Sequence, residues 1–302
     1  MEEVAVIGGG LAGLSAALHG ARLGRLVTLF EGSGLYGGLV ATVDEVDGLG
    51  VAGHHSGQAV AMHLLEQAKK QGVQVVEWPV VRVELGERIA LTTEDGKTCH
   101  PEAVIVASGA GLRRLGVPGE EKFTGRGVSR CATCDGGFYR GRDVAVIGTG
   151  DAAVTEALVL AKTSRTVTMV CRSPIKAKPI YVDRLAARDN VRFAWDSEVV
   201  EVMGENSVAG LRLRNVRTGN ESTLEVAGVF PFIGVEPNAA FLPPGLLNND
   251  GTVRADASTA STDPRLFAAG AVREGYGGNV AQAMAEGIAA AEAAAKLLAG
   301  RG

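Results

Sequence analysis

The chain has 302 residues, 46% of them apolar, which is enough for two domains that each bury a core and excludes a disordered protein. Lys and Arg total 30 against 34 Asp and Glu, and the net charge of -4 supplies no basic field to gather nucleic acid or an anionic membrane surface. No apolar run reaches the roughly 20 residues that span a bilayer, and Met1-Glu2-Glu3 enters an apolar strand with no basic region or cleavage site, so a soluble, cytoplasmic protein is expected.

The first element is the run VAVIGGGLAGLSAAL at 4–18, a β-branched strand, a glycine turn and an Ala-rich helix. Gly8, Gly10 and Gly13 satisfy G-x-G-x-x-G: one makes the tight turn, one lets a pyrophosphate approach the backbone, and one lets the helix pack closely on the strand. The helix N-terminus presents free N–H groups to the phosphates. The next strand, LVTLFE, ends in Glu31, where an acid can bind the ribose hydroxyls of an adenosine. His54, His55 and His63 straddle a helix start at Ser56 and read as loop and helix residues rather than as a metal set. Trp78 and Trp195 read as packing residues, and Cys99, in the polar turn EDGKTCHP, as a bystander. A buried strand, AVIVASG at 103–109, precedes GLRRLGVPGEE at 111–121, whose glycines, proline and mixed charges mark a crossing between domains.

The second domain opens on CATCDG, with Cys131 and Cys134 two residues apart, and then repeats the first motif as VAVIGTGDAAVTEAL at 144–158. Its turn reads Gly148, Gly150, Asp151, Ala152, Ala153. The following strand, TVTMVCRS, ends in Cys171-Arg172-Ser173 with no carboxylate, so Arg172 and Lys176 are the nearest groups for a nucleotide phosphate, or else solvated charges on a loop. With four cysteines and no second C-x-x-C, neither a disulfide scaffold nor a zinc site is expected, and the pair reads as catalytic. Cys171 reads as a small apolar filler. The segment FIGVEPNAAFLPPG at 232–245 returns the chain to the first domain, which then holds the strand LFAAG at 266–270 and a small-residue helix from Asn279. Gly109 and Gly270 both end strands, where backbone can come near a ligand. The expected fold is α/β, with two Rossmann-like dinucleotide-binding domains, the second (115–235) inserted into the first (1–114 and 236–302).

These residues together, GRGVSRCATCDG above all, resemble the low-molecular-weight thioredoxin reductase family nearly end to end; GGLVATVDEV, ASGA, FIGVEPN and LFAAGAV fall where that family's flavin and hinge motifs fall. The resemblance implies that the outer domain binds FAD, that the inserted one binds NADPH and carries the cysteines, and that the protein is a homodimer. Cys134 would face the flavin, Cys131 would attack the partner's disulfide, and Asp135 would carry the proton. One rotation of the inserted domain would exchange which group meets the flavin. On matching positions the FAD site would comprise Gly8, Gly10, Ala12, Gly13, Glu31, Gly38, Leu39, Asp47, Val80, Ser108, Gly109, Gly270, Ala271, Asn279 and Val280.

The chain also departs from that pattern. Cys171-Arg172-Ser173 stands where the family has His-Arg-Arg, Gly270-Ala271 where it has Gly-Asp, and Gly278-Asn279 where it has Arg-Gln; EVDGLG at 45–50 replaces its Glu-Asn-aromatic-Pro-Gly segment. FAD is still expected, while the second site is left to NADPH, NADH or a second FAD. The expected function is reduction of a thioredoxin-like protein or a small disulfide, with ferredoxin or a second flavin as electron donor. The alternatives are an ordinary NADPH-dependent thioredoxin reductase, a small-dithiol oxidase that passes electrons to oxygen, and a non-enzymatic redox sensor.

Overall fold

The computed structural model describes residues 3–43, 46 and 56–300. The chain divides into two compact units, one of Met1–Gly111 with Glu236–Gly302 and one of Leu112–Val235.

The first unit starts with β1 (Val4–Ile7), α1 (Leu11–Arg22), β2 (Val27–Phe30), α2 (Gly57–Lys70) and β3 (Gln74–Val76). Ser56 caps α2, its hydroxyl accepting the N–H of Ala59 at 3.2 Å. An antiparallel sheet follows, β4 (Val80–Leu85), β5 (Ile89–Thr93) and β6 (Thr98–Cys99), and then β7 (Ala103–Val106). Cys99 thus lies in a short strand against apolar core rather than in a free polar turn. The chain leaves through β8 (Ala110–Leu112).

The second unit contains α3 (Glu120–Phe123), the short turn α4 (Ala132–Asp135), β9 (Asp143–Ile147), α5 (Asp151–Leu160), β10 (Thr166–Cys171), α6 (Pro179–Ala186) and β11 (Val191–Trp195). An antiparallel meander β12 (Ser197–Gly204), β13 (Val208–Asn215) and β14 (Glu221–Glu225) precedes β15 (Gly228–Pro231), which returns to the parallel sheet, ordered β11-β10-β9-β15. Burial on both faces explains why β9, β10 and β15 read as continuous apolar runs rather than as alternating ones.

The chain goes back through β16 (Val235–Pro237), then adds β17 (Leu266–Ala268) and α7 (Val280–Ala299) to the first unit. Its parallel sheet is ordered β17-β7-β1-β2-β3. Helices α1 and α7 pack closely because small residues face each other: a Cβ on Gly287 would stand 2.1 Å from the carbonyl oxygen of Ala12. Among the described residues no helix is long and apolar enough to cross a membrane.

Candidate functional site: two glycine turns and a disulfide

The first glycine turn follows β1 directly. Gly8 has φ +109°, and a Cβ there would stand 2.4 Å from the carbonyl oxygen of Ala107; one on Gly13 would stand 1.9 Å from that of Gly8. Only glycine serves at these positions. Gly10, at the N-terminus of α1, has nothing within 4 Å of such a Cβ and no side-chain cap, so the cradle opens there toward a ligand. Glu31, just past β2, accepts the N–H of Gly9 on Oε2 at 2.6 Å and the N–H and hydroxyl of Ser33 on Oε1 at 2.7 and 2.6 Å.

Most of the expected flavin residues gather around this turn. Gly37 donates its N–H to the carbonyl of Gly9 at 2.8 Å, which sets Gly38 beside Gly10. Ser108 flanks Gly8; its hydroxyl donates to the carbonyl of Asn238 at 2.6 Å, and the Asn238 amide donates back to the Ser108 carbonyl at 3.0 Å. A Cβ on Gly270 would lie 3.0 Å from that of Ala12, so the β17 end adjoins the first turn of α1. Asn279 caps α7, accepting the N–H of Gln282 at 2.7 Å, and Val280 begins the helix. Leu39 is exposed, whereas the Val80 side chain is buried in the core beside Phe30. Asp47, His54 and His55 lie outside the described residues; His63 is exposed on α2. The residues fit the adenosine diphosphate half of FAD: Gly8 to Gly13 would take the diphosphate and Glu31 the ribose.

Sequence reasoning missed the network behind Gly270. Glu286 of α7 accepts the Gly270 N–H at 2.8 Å, an Arg273 guanidinium N–H at 2.5 Å and the Gln282 amide at 2.7 Å. Burial alone would raise the Glu286 carboxyl, but these hydrogen bonds outweigh it and hold the group below its ordinary range. A Glu in an Ala-rich helix facing an Arg thirteen residues earlier was the available signal.

The second glycine turn repeats the first. Gly148 has φ +137°, and a Cβ on it would meet the Phe232 carbonyl oxygen at 2.2 Å, while Gly150, at the start of α5, again faces open space. Ala153 is buried against Gly148, and Ala152 is exposed. The segment after β10 folds across this turn: Lys176 donates its N–H to the Thr149 carbonyl at 2.8 Å, and Lys178 meets Asp151 twice, through its N–H at 2.8 Å and its ammonium at 3.3 Å. Arg172 and Lys176 are exposed beside it. Cys171 is fully buried, and burial pushes its thiol up to about 11. The last residue of β10 therefore brings only a buried thiol, and the polar side chains next to it are those of Arg172 and Ser173.

Cys131 and Cys134 form a disulfide, with Cα atoms 5.3 Å apart. Cys131 caps α4, its Sγ accepting the Cys134 N–H at 3.0 Å and its carbonyl the Asp135 N–H at 3.1 Å. Ser129, another residue not foreseen, accepts the Cys131 N–H at 3.2 Å. A third, Glu156 of α5, accepts the Ala132 N–H at 2.7 Å. Cys134 is exposed and Cys131 half-buried. Asp135 follows the pair; burial first, and the Asp135 charge second, raise the phenol of Tyr139. Phe138 is 78% exposed one residue earlier.

The two tryptophans, expected to be packed, are 45% (Trp78) and 48% (Trp195) exposed. Trp195 ends the edge strand β11, where only one side has a neighbour, and stacks on Phe193 with ring centres 4.7 Å apart. Among the described residues no group of three His, Cys, Asp or Glu side chains is placed to hold a metal ion.

Two glycine turns, each at the carboxyl end of its own parallel sheet, and a C-x-x-C disulfide on a turn whose Ala132 N–H is hydrogen-bonded to the second turn's helix define an FAD-dependent disulfide oxidoreductase. The pyridine nucleotide-disulphide oxidoreductase family model matches residues 2–287, and the chain belongs to that family. It is 41% identical over 274 residues to the bifunctional thioredoxin reductase/thioredoxin of Mycobacterium leprae, a match covering 89% of this chain but 60% of that protein's length. Thioredoxin reductase of Lactococcus lactis in its FR conformation superposes with a TM-score of 0.95 at 31% identity, over 99% of this chain and 100% of that one. A ferredoxin-flavin thioredoxin reductase from Clostridium acetobutylicum gives a TM-score of 0.53 at 27% identity, over 99% of this chain and 98% of that one.

Proposed function

We propose that this chain reduces the disulfide of a thioredoxin-like protein, or a small disulfide, through Cys131 and Cys134. The observation that carries the reading is the disulfide itself, on an exposed turn hydrogen-bonded to the helix of the second glycine turn. Gly8 to Gly13 and Glu31 would hold FAD, whose two-electron-reduced form would supply the electron pair and protons needed to open this disulfide to two thiols. The Cys131 thiolate then attacks one partner sulfur, forming a mixed disulfide and expelling the other partner sulfur as a thiolate. Cys134 attacks Cys131 in turn, which restores the original disulfide and releases the second partner thiol. Asp135, next to the pair, exchanges the protons these thiolates gain and lose. The test is anaerobic: the dithionite-reduced protein, freed of excess reductant, is mixed with oxidised thioredoxin and the partner's thiols are counted. Two new thiols per chain are expected; none overturns the proposal.

The donor we propose is a small iron–sulfur protein or a second flavin rather than a pyridine nucleotide. The support is the end of β10, where a buried Cys171 thiol offers nothing to a ribose or its phosphate, and Lys178, whose ammonium is already paired with Asp151. The ferredoxin named for the Clostridium acetobutylicum neighbour is in keeping with such a donor. Stopped-flow reduction decides the matter. Slow bleaching of the flavin by both NADPH and NADH, with fast bleaching by reduced ferredoxin, is expected. Bleaching by micromolar NADPH within milliseconds would mean that Arg172 and Lys176 suffice.

A further inference from the structure

One side chain grips Cys131 on both of its backbone polar groups. The Ser129 hydroxyl accepts the Cys131 N–H at 3.2 Å and donates to the Cys131 carbonyl at 3.3 Å. A serine hydroxyl has one donor and two acceptor sites, so its single oxygen can make both bonds. The same carbonyl accepts the Asp135 N–H at 3.1 Å, which closes the turn on its far side. Ser129 is itself anchored and buried. Its N–H donates to the Val229 carbonyl at 3.0 Å, and its neighbour Val128 forms a β-bridge with the same Val229, both valines being buried. The clamp is thus fastened to β15 of the parallel sheet rather than to the loop it holds. None of these bonds uses a sulfur atom, so none is lost when the S–S bond opens.

We infer that Ser129 is a positioning residue of the redox pair: it keeps the cysteine turn in place after reduction, so that the two thiols stay poised to close their S–S bond again. In the oxidised chain the disulfide itself joins the two residues, and the hydroxyl adds little further constraint. In the dithiol that covalent tie is gone. What then limits the turn is hydrogen bonding, of which the Ser129 clamp supplies two bonds at Cys131 itself. Restricting the dithiol removes conformational freedom that ring closure would otherwise have to take away. The relevant exchange is balanced: the protein disulfide and two glutathione thiols give the protein dithiol and one glutathione disulfide, with both protons carried across on sulfur. A clamp that disfavours a loose dithiol moves this exchange toward the protein disulfide. Ser129 thereby lowers the reduction potential of the pair and makes it a stronger reductant for its partner. The inference rests on the reading of Cys131–Cys134 as the working disulfide.

The test equilibrates the purified protein anaerobically at pH 7 with a graded series of reduced and oxidised glutathione, then quenches with iodoacetamide. Alkylated Cys131 and Cys134 are counted by peptide mass spectrometry. Ser129→Ala removes the hydroxyl and should move the exchange about three- to tenfold toward the dithiol, the loss of hydrogen bonds of ordinary net strength. That raises the midpoint potential by about 15–30 mV. Ser129→Thr keeps a hydroxyl and should restore a midpoint close to that of the wild type. Amide hydrogen exchange at Cys131 is the second readout: in Ser129→Ala it should speed up more in the reduced chain than in the oxidised one. A midpoint that is unchanged in Ser129→Ala, or shifted equally in Ser129→Thr, overturns the inference, and so does an exchange rate that rises equally in both redox states. Neither readout uses an electron donor, a partner protein or turnover, so failure here is distinct from failure of the proposed function.

Discussion

Gly9 donates its backbone N–H to Oε2 of Glu31 at 2.6 Å, so the acid at the end of β2 is bonded to the very turn that would hold the diphosphate. Removing the acid therefore strikes twice, at the ribose and at the turn. Glu31→Ala is expected to weaken FAD binding to the apoprotein by about 10- to 100-fold, from hydrogen bonds to a charged acceptor worth roughly 1.5–3 kcal/mol. Calorimetric titration with FAD measures it, and equal affinity in wild type and variant removes Glu31 from the site.

The two glycines of the second turn should separate folding from binding. A Cβ on Gly150 meets nothing within 4 Å, so Gly150→Ala should change unfolding stability by less than about 1 kcal/mol. It should nevertheless crowd any diphosphate approaching α5 and weaken nucleotide binding to the second unit about tenfold or more. Gly148→Ala, at φ +137° and 2.2 Å from a carbonyl oxygen, should instead lower stability itself. Urea unfolding alongside nucleotide titration tells them apart; intact binding in Gly150→Ala would show that the second turn holds no diphosphate.

Either Cys131→Ser or Cys134→Ser should abolish disulfide exchange with a thioredoxin-like substrate while leaving FAD bound, because neither side chain belongs to the first unit's cradle. Turnover and flavin content measured on the same preparations check this. Full turnover in both variants would discard the pair as the reacting group.

Arg273 and Glu286 form a pair with side chains only 12% and 10% exposed. Glu286→Ala leaves the guanidinium buried without its acid and should destabilise the protein by about 3–5 kcal/mol. The acid dependence has a definite sign. The folded carboxyl lies below the ordinary value of 4.5, so its contribution is fully present above that value and disappears as pH falls through the lower folded one. Urea midpoints between pH 3 and 7 should fall less steeply with acid in Glu286→Gln than in wild type. Parallel curves would assign the acid sensitivity to other carboxylates.

Both glycine turns were legible in the sequence because their physics is local: strand, turn and helix start lie within about ten residues, and a backbone with no room for a Cβ demands glycine wherever it occurs. The cysteine pair was legible for the same reason. Glu156, Ser129 and Glu286 were not, since each matters through hydrogen bonds made only in the folded chain, and in the sequence they are ordinary helix or loop residues. The tryptophans failed differently. Composition assigns an aromatic residue to the core, but Trp195 ends an edge strand, and strand order is not written in any single segment. The antiparallel sheets of β4–β6 and β12–β14 also went unread, because no motif marks them.

Burial of Cys171 makes the protein well suited to direct labelling. With that thiol pushed up to about 11, only about one molecule in ten thousand carries its thiolate at neutral pH. A thiol-reactive dye on the native chain therefore has almost no background from this position, and any signal from Cys99 is common to the oxidised and reduced samples. The difference in dye uptake between those samples counts open disulfides. Along a graded glutathione series the same count yields the midpoint potential of the pair, with no flavin absorbance to untangle.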